Sequence, residues 1–256
     1  MTKRIPAPEE IARAATARLR GMADPVRAAG AQKYFKYTIK TFGATAPQIR
    51  SLAEELYRSI KPHWTVKDAV ALADILFREP ELDSKSIGSL ILGRFKKDFP
   101  ESLFAKVKRW LAVDLLDNWA SVDGLCPESM GAFLEKYPGY VAKIKTWASH
   151  PNRWVKRASA VSFIKLARKD AFRPAVYEIA AALFPAHDDL VEKATGWLLR
   201  EAGKADMARL EGFLLEHGPA IPRTTLRYAI ERFDETTRRR LLESTKPPSM
   251  ARRDVL

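Results

Sequence analysis

The sequence predicts an all-α protein, and three observations carry that prediction. Proline, glycine and capping residues punctuate the chain at short intervals, and between them apolar residues recur three and four positions apart, the period of a helix with one buried face. No segment alternates apolar and polar residues with period two, and no tight hairpin signal joins two apolar stretches. Three tryptophan segments follow one another: Asn118-Trp119-Ala120-Ser121-Val122-Asp123, Asn152-Arg153-Trp154-Val155-Lys156-Arg157 and Thr195-Gly196-Trp197-Leu198-Leu199-Arg200. Their tryptophans lie 35 and 43 residues apart (119 to 154, 154 to 197).

Taken in order, the first eight residues form a short lead. Pro8 opens a helix with Ile11, Ala14, Ala15 and Leu19 at helical spacing, proline being tolerated in the first turn. Asp24-Pro25 opens a second, running towards Ile39 and stopped by Gly43. Thr45-Ala46-Pro47 starts a third through Leu52, Leu56 and Ile60, and Pro62 ends it. Thr65 caps a helix from Val66 to Phe77, and Asp83 or Ser84 caps one through Ile87, Leu90 and Phe95. Pro100 opens Leu103 to Leu111; residues 114–123 form a short helix closed by Gly124; Pro127 starts the next, to Tyr137, and Pro138 another, to His150. Asn152 precedes a helix to Ala167, and further helices read as 172–184, 188–202, 204–217, 221–232 and 234–244. That is about fifteen helices with short turns. One pair cannot bury its apolar stripe alone, so pairs recurring at the tryptophan interval fit a stack; a compact irregular helical domain is the structural alternative, since the repeats share little beyond the tryptophans. The predicted architecture is an α-superhelix, a solenoid of HEAT-like repeats with a concave groove, spanning residues 1–245 as one domain. A charged, proline-containing tail, 246–256, is expected to be disordered.

The chain has 256 residues, 46% of them apolar, enough for a sizeable core. Its 44 basic and 31 acidic residues give a formal net charge of +13, which points to a polyanionic partner. Residues 1–40 hold nine basic residues against three acidic ones, and Lys143, Lys145, Arg153, Lys156, Arg157, Lys165, Arg168 and Lys169 form a second dense stretch. On a curved scaffold two such stretches can grip a duplex by its phosphates, although each residue singly reads as a solvated helix face. A single cysteine, Cys126, excludes an internal disulfide and cysteine-rich zinc sites, and four scattered histidines offer no metal-binding pair. No metal or cofactor is expected. There is no phosphate-binding glycine loop and no nucleophile elbow. No apolar run is long enough for a membrane span, and Pro6, Pro8, Glu9 and Glu10 break any signal-peptide pattern, so a cytoplasmic or nucleoid location is expected.

What is left for chemistry is tryptophan and one carboxylate. Each tryptophan has a charge three or four positions on, hence on the same helix face: Asp123 after Trp119, Arg157 after Trp154, Arg200 after Trp197. We read Trp119, Asp123, Arg157 and Trp197 as lining one concave site. Asp123 falls at the end of the helix expected over 114–123, where the dipole disfavours a carboxylate; the alternative is a cap for the helix at Pro127. The alternative for each tryptophan is a core ring.

These segments, with Glu192-Lys193 ahead of Gly196-Trp197 and the upstream run from Tyr34 to Phe42-Gly43, Pro47 and Arg50, resemble the AlkD family of DNA alkylation repair glycosylases over about residues 25–205. The resemblance implies a HEAT-like superhelix with double-stranded DNA in its groove, and hydrolysis of the N-glycosidic bond of purines alkylated at N3 or N7. By position it implies that Trp119 and Trp197 face the deoxyribose, that Asp123 is the catalytic carboxylate, and that Arg157 holds the backbone near the lesion. Tyr34, Arg50 and Arg200 match further DNA contacts, and Lys156 lies beside Arg157 in the basic stretch. One position departs: the family often has Asp after the first tryptophan, where this chain has Ala120.

The chemistry is self-consistent. An N3- or N7-alkylated purine is cationic and leaves as a neutral base, so no general acid is needed. Bond breaking builds positive charge on the sugar, which a carboxylate and two indole faces stabilise. The protein is expected to work as a monomer. The rival readings are a non-catalytic binder of distorted DNA on the same scaffold and a helical protein-interaction scaffold.

Overall fold

The structure is a computed structural model and describes residues 5–246. The lead at residues 1–4 and the tail from 247 onward lie outside the described residues. Among those described, every regular element is helical: fifteen α-helices, short 3-10 turns and one π-turn, with one isolated parallel bridge between Lys40 and Glu81. The chain divides between Tyr137 and Pro138 into two compact units.

The first unit contains α1 (Pro8–Gly21), α2 (Pro25–Gln32), α3 (Ala46–Ile60), α4 (Val66–Leu76), α5 (Leu82–Arg94), α6 (Leu103–Ala112), α7 (Trp119–Leu125) and α8 (Gly131–Lys136). Helix α5 is its spine, packed against α4, α3 and α7. That position explains its composition: Ile87, Ile91 and Leu92 are fully buried, and Gly88 lets the helix approach Phe77, where a Cβ would lie 3.0 Å from the ring. Thr45 caps α3 through a reciprocal pair with Gln48, as the Thr-x-x-Gln spacing requires. Trp64 ties the N-terminal lead down by donating to the Pro6 carbonyl at 2.9 Å.

Four helix limits here differ from those expected. Helix α2 stops at Gln32 and does not reach Ile39, because the Gln32 side chain takes over the backbone: its amide donates to the Phe35 and Tyr37 carbonyls and accepts from Ile39 N–H. The loop that follows turns at Gly43, whose φ of +81° and contact with Asp24 O (2.4 Å from a Cβ) admit only glycine. Helix α5 starts at Leu82 with Glu81 as N-cap, so neither Asp83 nor Ser84 caps it. No helix spans 114–118: Asp114 is left-handed (φ 56°) and Leu115 N–H closes back on Trp110 O, ending α6. Finally, Gly124 does not end α7. The chain stays helical through a wide turn at Cys126–Met130 into α8. Pro127 lacks an N–H for Asp123 O and its ring crowds that carbonyl, so the helix widens instead of stopping.

The second unit holds α9 (Val141–Lys145), α10 (Arg153–Val161), α11 (Arg173–Leu183), α12 (Asp189–Gly203), α13 (Met207–His217), α14 (Arg223–Ala229) and α15 (Glu235–Ser244). One row, α10–α12–α14, packs in sequence, and α11 and α13 also pack against α12. Asp188, Asp206 and Asp234 cap α12, α13 and α15. Helix α10 is shorter than the expected 152–167, ending at Val161, and the segment expected as one helix over 138–150 is a short α-turn between two 3-10 turns. Gly196 allows α14 to lie directly on α12: a Cβ there would meet Tyr228 Cβ at 2.4 Å and Thr225 O at 2.6 Å.

Candidate functional site

The chain has six tryptophans, and burial sorts them. Trp64, Trp110, Trp147 and Trp154 are buried core rings; Trp119 and Trp197 are half-buried. Trp154, which the sequence pattern placed in series with the other two, is therefore packed inside.

In the first unit, Trp119 is the first residue of α7, and its place is fixed by a polar chain. The Lys85 ammonium, only 4% exposed, pairs with Asp117 at 2.8 Å; Asn118 donates to the same Asp117 oxygen at 3.0 Å; and Asn118 Oδ1 caps α7 by accepting from Ser121 N–H at 2.9 Å. The ring stacks on Phe35 with centroids 5.0 Å apart and an interplanar angle of 17°. Phe35 lies in the loop after α2, and Asp83 anchors the far end of that loop. Its buried carboxylate accepts from Thr41 Oγ1 (2.5 Å), Phe42 N (2.9 Å) and Ala44 N (3.1 Å). One turn after Trp119, Asp123 is half-buried on the same helix. It is not at a helix end, since the helical run continues to Lys136, and there is no helix start at Pro127 for it to cap. Tyr34, beside Phe35, is 78% exposed, and Arg50 on α3 is exposed.

In the second unit, Arg157 is only 5% exposed, and one guanidinium nitrogen donates to the Leu190 carbonyl in the first turn of α12. Lys156 beside it is half-buried. Arg153 pairs with Asp188, the residue that caps α12, at 2.8 Å. On α12, Trp197 follows the contact glycine Gly196, and Arg200 forms a close ion pair with Glu231. Thr225 of α14 donates to Glu192 O at 3.0 Å, so the helix bearing Trp197 is held on both flanks. Near its end, Glu201 is buried with Arg168 at 2.9 Å and Lys204 at 2.6 Å. Burial by itself raises the Glu201 carboxyl, but the two cations outweigh it and hold it below the ordinary carboxylate value.

Sequence reasoning did not find Phe35, Asp83, Lys85 or Asp117. Lys85 and Asp83 carried a weak signal, being charges on a helix that also holds Ile87, Ile91 and Leu92; Asp117 and Phe35 carried none, since their roles arise from residues 32 and 84 positions away (85 to 117, 35 to 119).

The profile of a protein family described as DNA alkylation repair enzyme matches residues 15–233. The chain belongs to that family. Its fold agrees with a solved structure described as a predicted DNA alkylation repair enzyme from Enterococcus faecalis, at a TM-score of 0.73 and 16% sequence identity, covering 84% of this chain and 98% of that one. A search of the curated proteins finds no match. Among the described residues of this family member, no group of three His, Cys, Asp or Glu side chains is placed to hold a metal ion, and no helix is long and apolar enough to cross a membrane.

Proposed function

We propose that this family member is a DNA glycosylase of the AlkD type, hydrolysing the N-glycosidic bond of positively charged N3- and N7-alkylated purines in duplex DNA. The observation that carries the reading is that Trp119 and Trp197 alone among six tryptophans are not fully buried, with a carboxylate one turn after the first. Large rings left out of the core forgo burial energy, which favours a binding role over a packing one. The supporting framework agrees: Phe35, Lys85, Asp117 and Asn118 fix the Trp119 ring before any ligand arrives, which is what electrostatic stabilisation of a transition state needs.

In this reaction the N-glycosidic electron pair moves onto the cationic purine, which leaves neutral. Positive charge develops at the sugar, and water adds at its anomeric carbon and loses a proton. Asp123 stabilises the charge and orients the water, and the face of Trp119 adds a cation–π contribution. That Trp197 acts on the same sugar rests on the resemblance of motif order. Tyr34, Arg50, Lys156, Arg157 and Arg200 are proposed to hold the duplex. Tyr34 and Arg50 are exposed enough to do so directly, while Arg157 is the deepest and already serves Leu190. The protein is proposed to act as a monomer in the cytoplasm, on the nucleoid.

The test is incubation with duplex DNA carrying N7-methylguanine, scoring released base. The wild type is expected to release it, and Asp123→Asn to be slower by about 10- to 1000-fold, as for loss of one electrostatic stabiliser. Binding to undamaged duplex should hold or tighten in the variant. No release by the wild type from any N3- or N7-alkylated duplex would leave a non-catalytic binder of damaged DNA.

A further inference from the structure

Helix α4 carries two apolar stripes, and the core of the first unit uses one of them. Ala69, Leu72, Ala73 and Leu76 are fully buried, whereas Val66 and Val70, one turn apart, stay half-buried. β-Branched residues are not favoured at open helix positions, so helix formation does not ask for valine there. The second stripe ends at Asp74, where α4 meets α6. The Asp74 carboxylate accepts from Trp110 Nε1 at 2.6 Å and pairs with Lys106 at 3.1 Å, and the Trp110 ring stands edge-on to Phe77 with centroids 5.0 Å apart.

These contacts pin α4 and α6 together at one end only. Towards their N-termini a groove of about 280 Å³ opens between them, walled by Val66, Val70 and Pro100 over Leu103. Pockets that enclose whole small molecules are larger, about 300–1,000 Å³, so this groove suits one anchoring side chain of a larger partner. Its rim is charged with one sign: Lys67 and Lys106 line the groove, and no carboxylate does. Lys106 is held by Asp74 at the pinned end. Lys67 is exposed and has no ion-pair partner among the described residues. The carboxylate next to it in the chain, Asp68, is turned to Thr65 N and Oγ1, both at 2.8 Å.

We propose that the α4–α6 groove docks an acidic segment of a partner protein, one in which an apolar side chain is flanked by carboxylates. The apolar side chain enters between Val66, Val70 and Pro100, and the flanking carboxylates meet Lys67 and Lys106. A nucleic-acid strand fits less well, because a phosphodiester would leave the apolar walls unused. In such a contact the buried anchor supplies most of the affinity, and the charges supply salt dependence and choice of partner. None of the groove residues is among those proposed to hold DNA or to act on the sugar, so the site serves recruitment, and its occupancy does not depend on the chemistry proposed at Trp119.

The probe is the hexapeptide Asp-Glu-Leu-Phe-Asp-Glu, acetylated and amidated at its ends, titrated into the full chain and followed by amide NMR. Saturable shifts are expected at Val66, Lys67, Val70, Leu103 and Lys106. The same peptide with Asn and Gln in place of its acids should bind at least about 10-fold more weakly, and Lys67→Glu should weaken the acidic peptide by about 3- to 30-fold. A peptide with Ala in place of Leu and Phe should not bind, and Val70→Asp should abolish saturation, because both remove the anchor. Arg109→Glu makes the same charge change at an exposed position of α6 outside the groove, and should keep the wild-type affinity within about 2-fold at physiological salt. The Lys67 side chain lies in solvent, so Lys67→Glu should unfold in urea as the wild type does, which separates lost docking from lost fold. No saturable shift in the wild type at millimolar peptide, or equal affinity for the neutral peptide, overturns the proposal. Displacement of the peptide by undamaged duplex also overturns it, by making the groove part of a nucleic-acid surface. Base release is scored separately, so failure here and failure of the glycosylase reading are told apart.

Discussion

Asp83 is the point at which the proposed site depends most on a residue that never touches a ligand. Its carboxylate accepts three hydrogen bonds, from Thr41 Oγ1, Phe42 N and Ala44 N, at 2.5, 2.9 and 3.1 Å. These close the loop that begins at Lys33 and carries Phe35 against Trp119. Asp83→Ala removes all three acceptors from a buried position. Hydrogen bonds to a charged group contribute about 1.5–3 kcal/mol each, but Thr41, Phe42 and Ala44 are half-buried and regain water once the loop lifts, so the net loss expected is about 2–4 kcal/mol. Asp83→Asn should cost less, about 1–2 kcal/mol, because its oxygen can keep the Thr41 and Phe42 bonds while its amide faces Ala44 N–H. Urea unfolding gives the magnitudes, and hydrogen exchange locates them: amides over 33–45 should lose protection before those of α4 and α5. Excision should fall along with loop protection, as the Trp119 ring loses its stacking partner. An Asp83→Ala protein with wild-type stability and wild-type exchange over 33–45 would refute the idea that this carboxylate holds the loop.

Three further outcomes follow from the second unit. Gly196→Ala gains up to about 1 kcal/mol of helix propensity, but its Cβ would meet Thr225 O at 2.6 Å and Tyr228 Cβ at 2.4 Å, and overpacking of that kind costs about 1–3 kcal/mol or more; thermal unfolding should show a net loss. Arg157→Ala should destabilise by about 1.5–3 kcal/mol through the Leu190 contact, and affinity for lesion DNA per folded molecule should also drop; unchanged affinity would make Arg157 purely structural. Because Glu201 is depressed in the folded state, its stabilisation is present above the unfolded carboxyl value and is lost as pH falls through the folded one. Between about pH 5 and pH 3 the wild type should therefore lose more stability than Glu201→Gln, and parallel curves would contradict that assignment.

What the sequence by itself determined was whatever is local. The helix count follows from apolar period and punctuation, and the start of α3 at Thr45 follows from a side chain reaching its own backbone three residues on; Asn118, read inside a helix over 114–123, caps α7 instead. Family membership was legible in the order of three tryptophan segments. Where the local reading failed, a non-local or stereochemical term had won. Gln32 ended α2 by binding residues up to seven positions away, Asp114 broke a helix by turning left-handed, and Pro127 widened one it was expected to begin. Only tertiary structure decided which tryptophans are core and which are left partly exposed, because a ring on an apolar face looks the same in sequence whether or not a neighbour covers it. It alone put Phe35 on Trp119, turned Asp83 inward to hold a loop some forty residues earlier, and took Asp123 away from the helix end to which the sequence had assigned it. Phe35 and Asp83 meet their partners through surfaces that the first unit brings together, and contacts between residues far apart in the chain leave no period for a sequence to display.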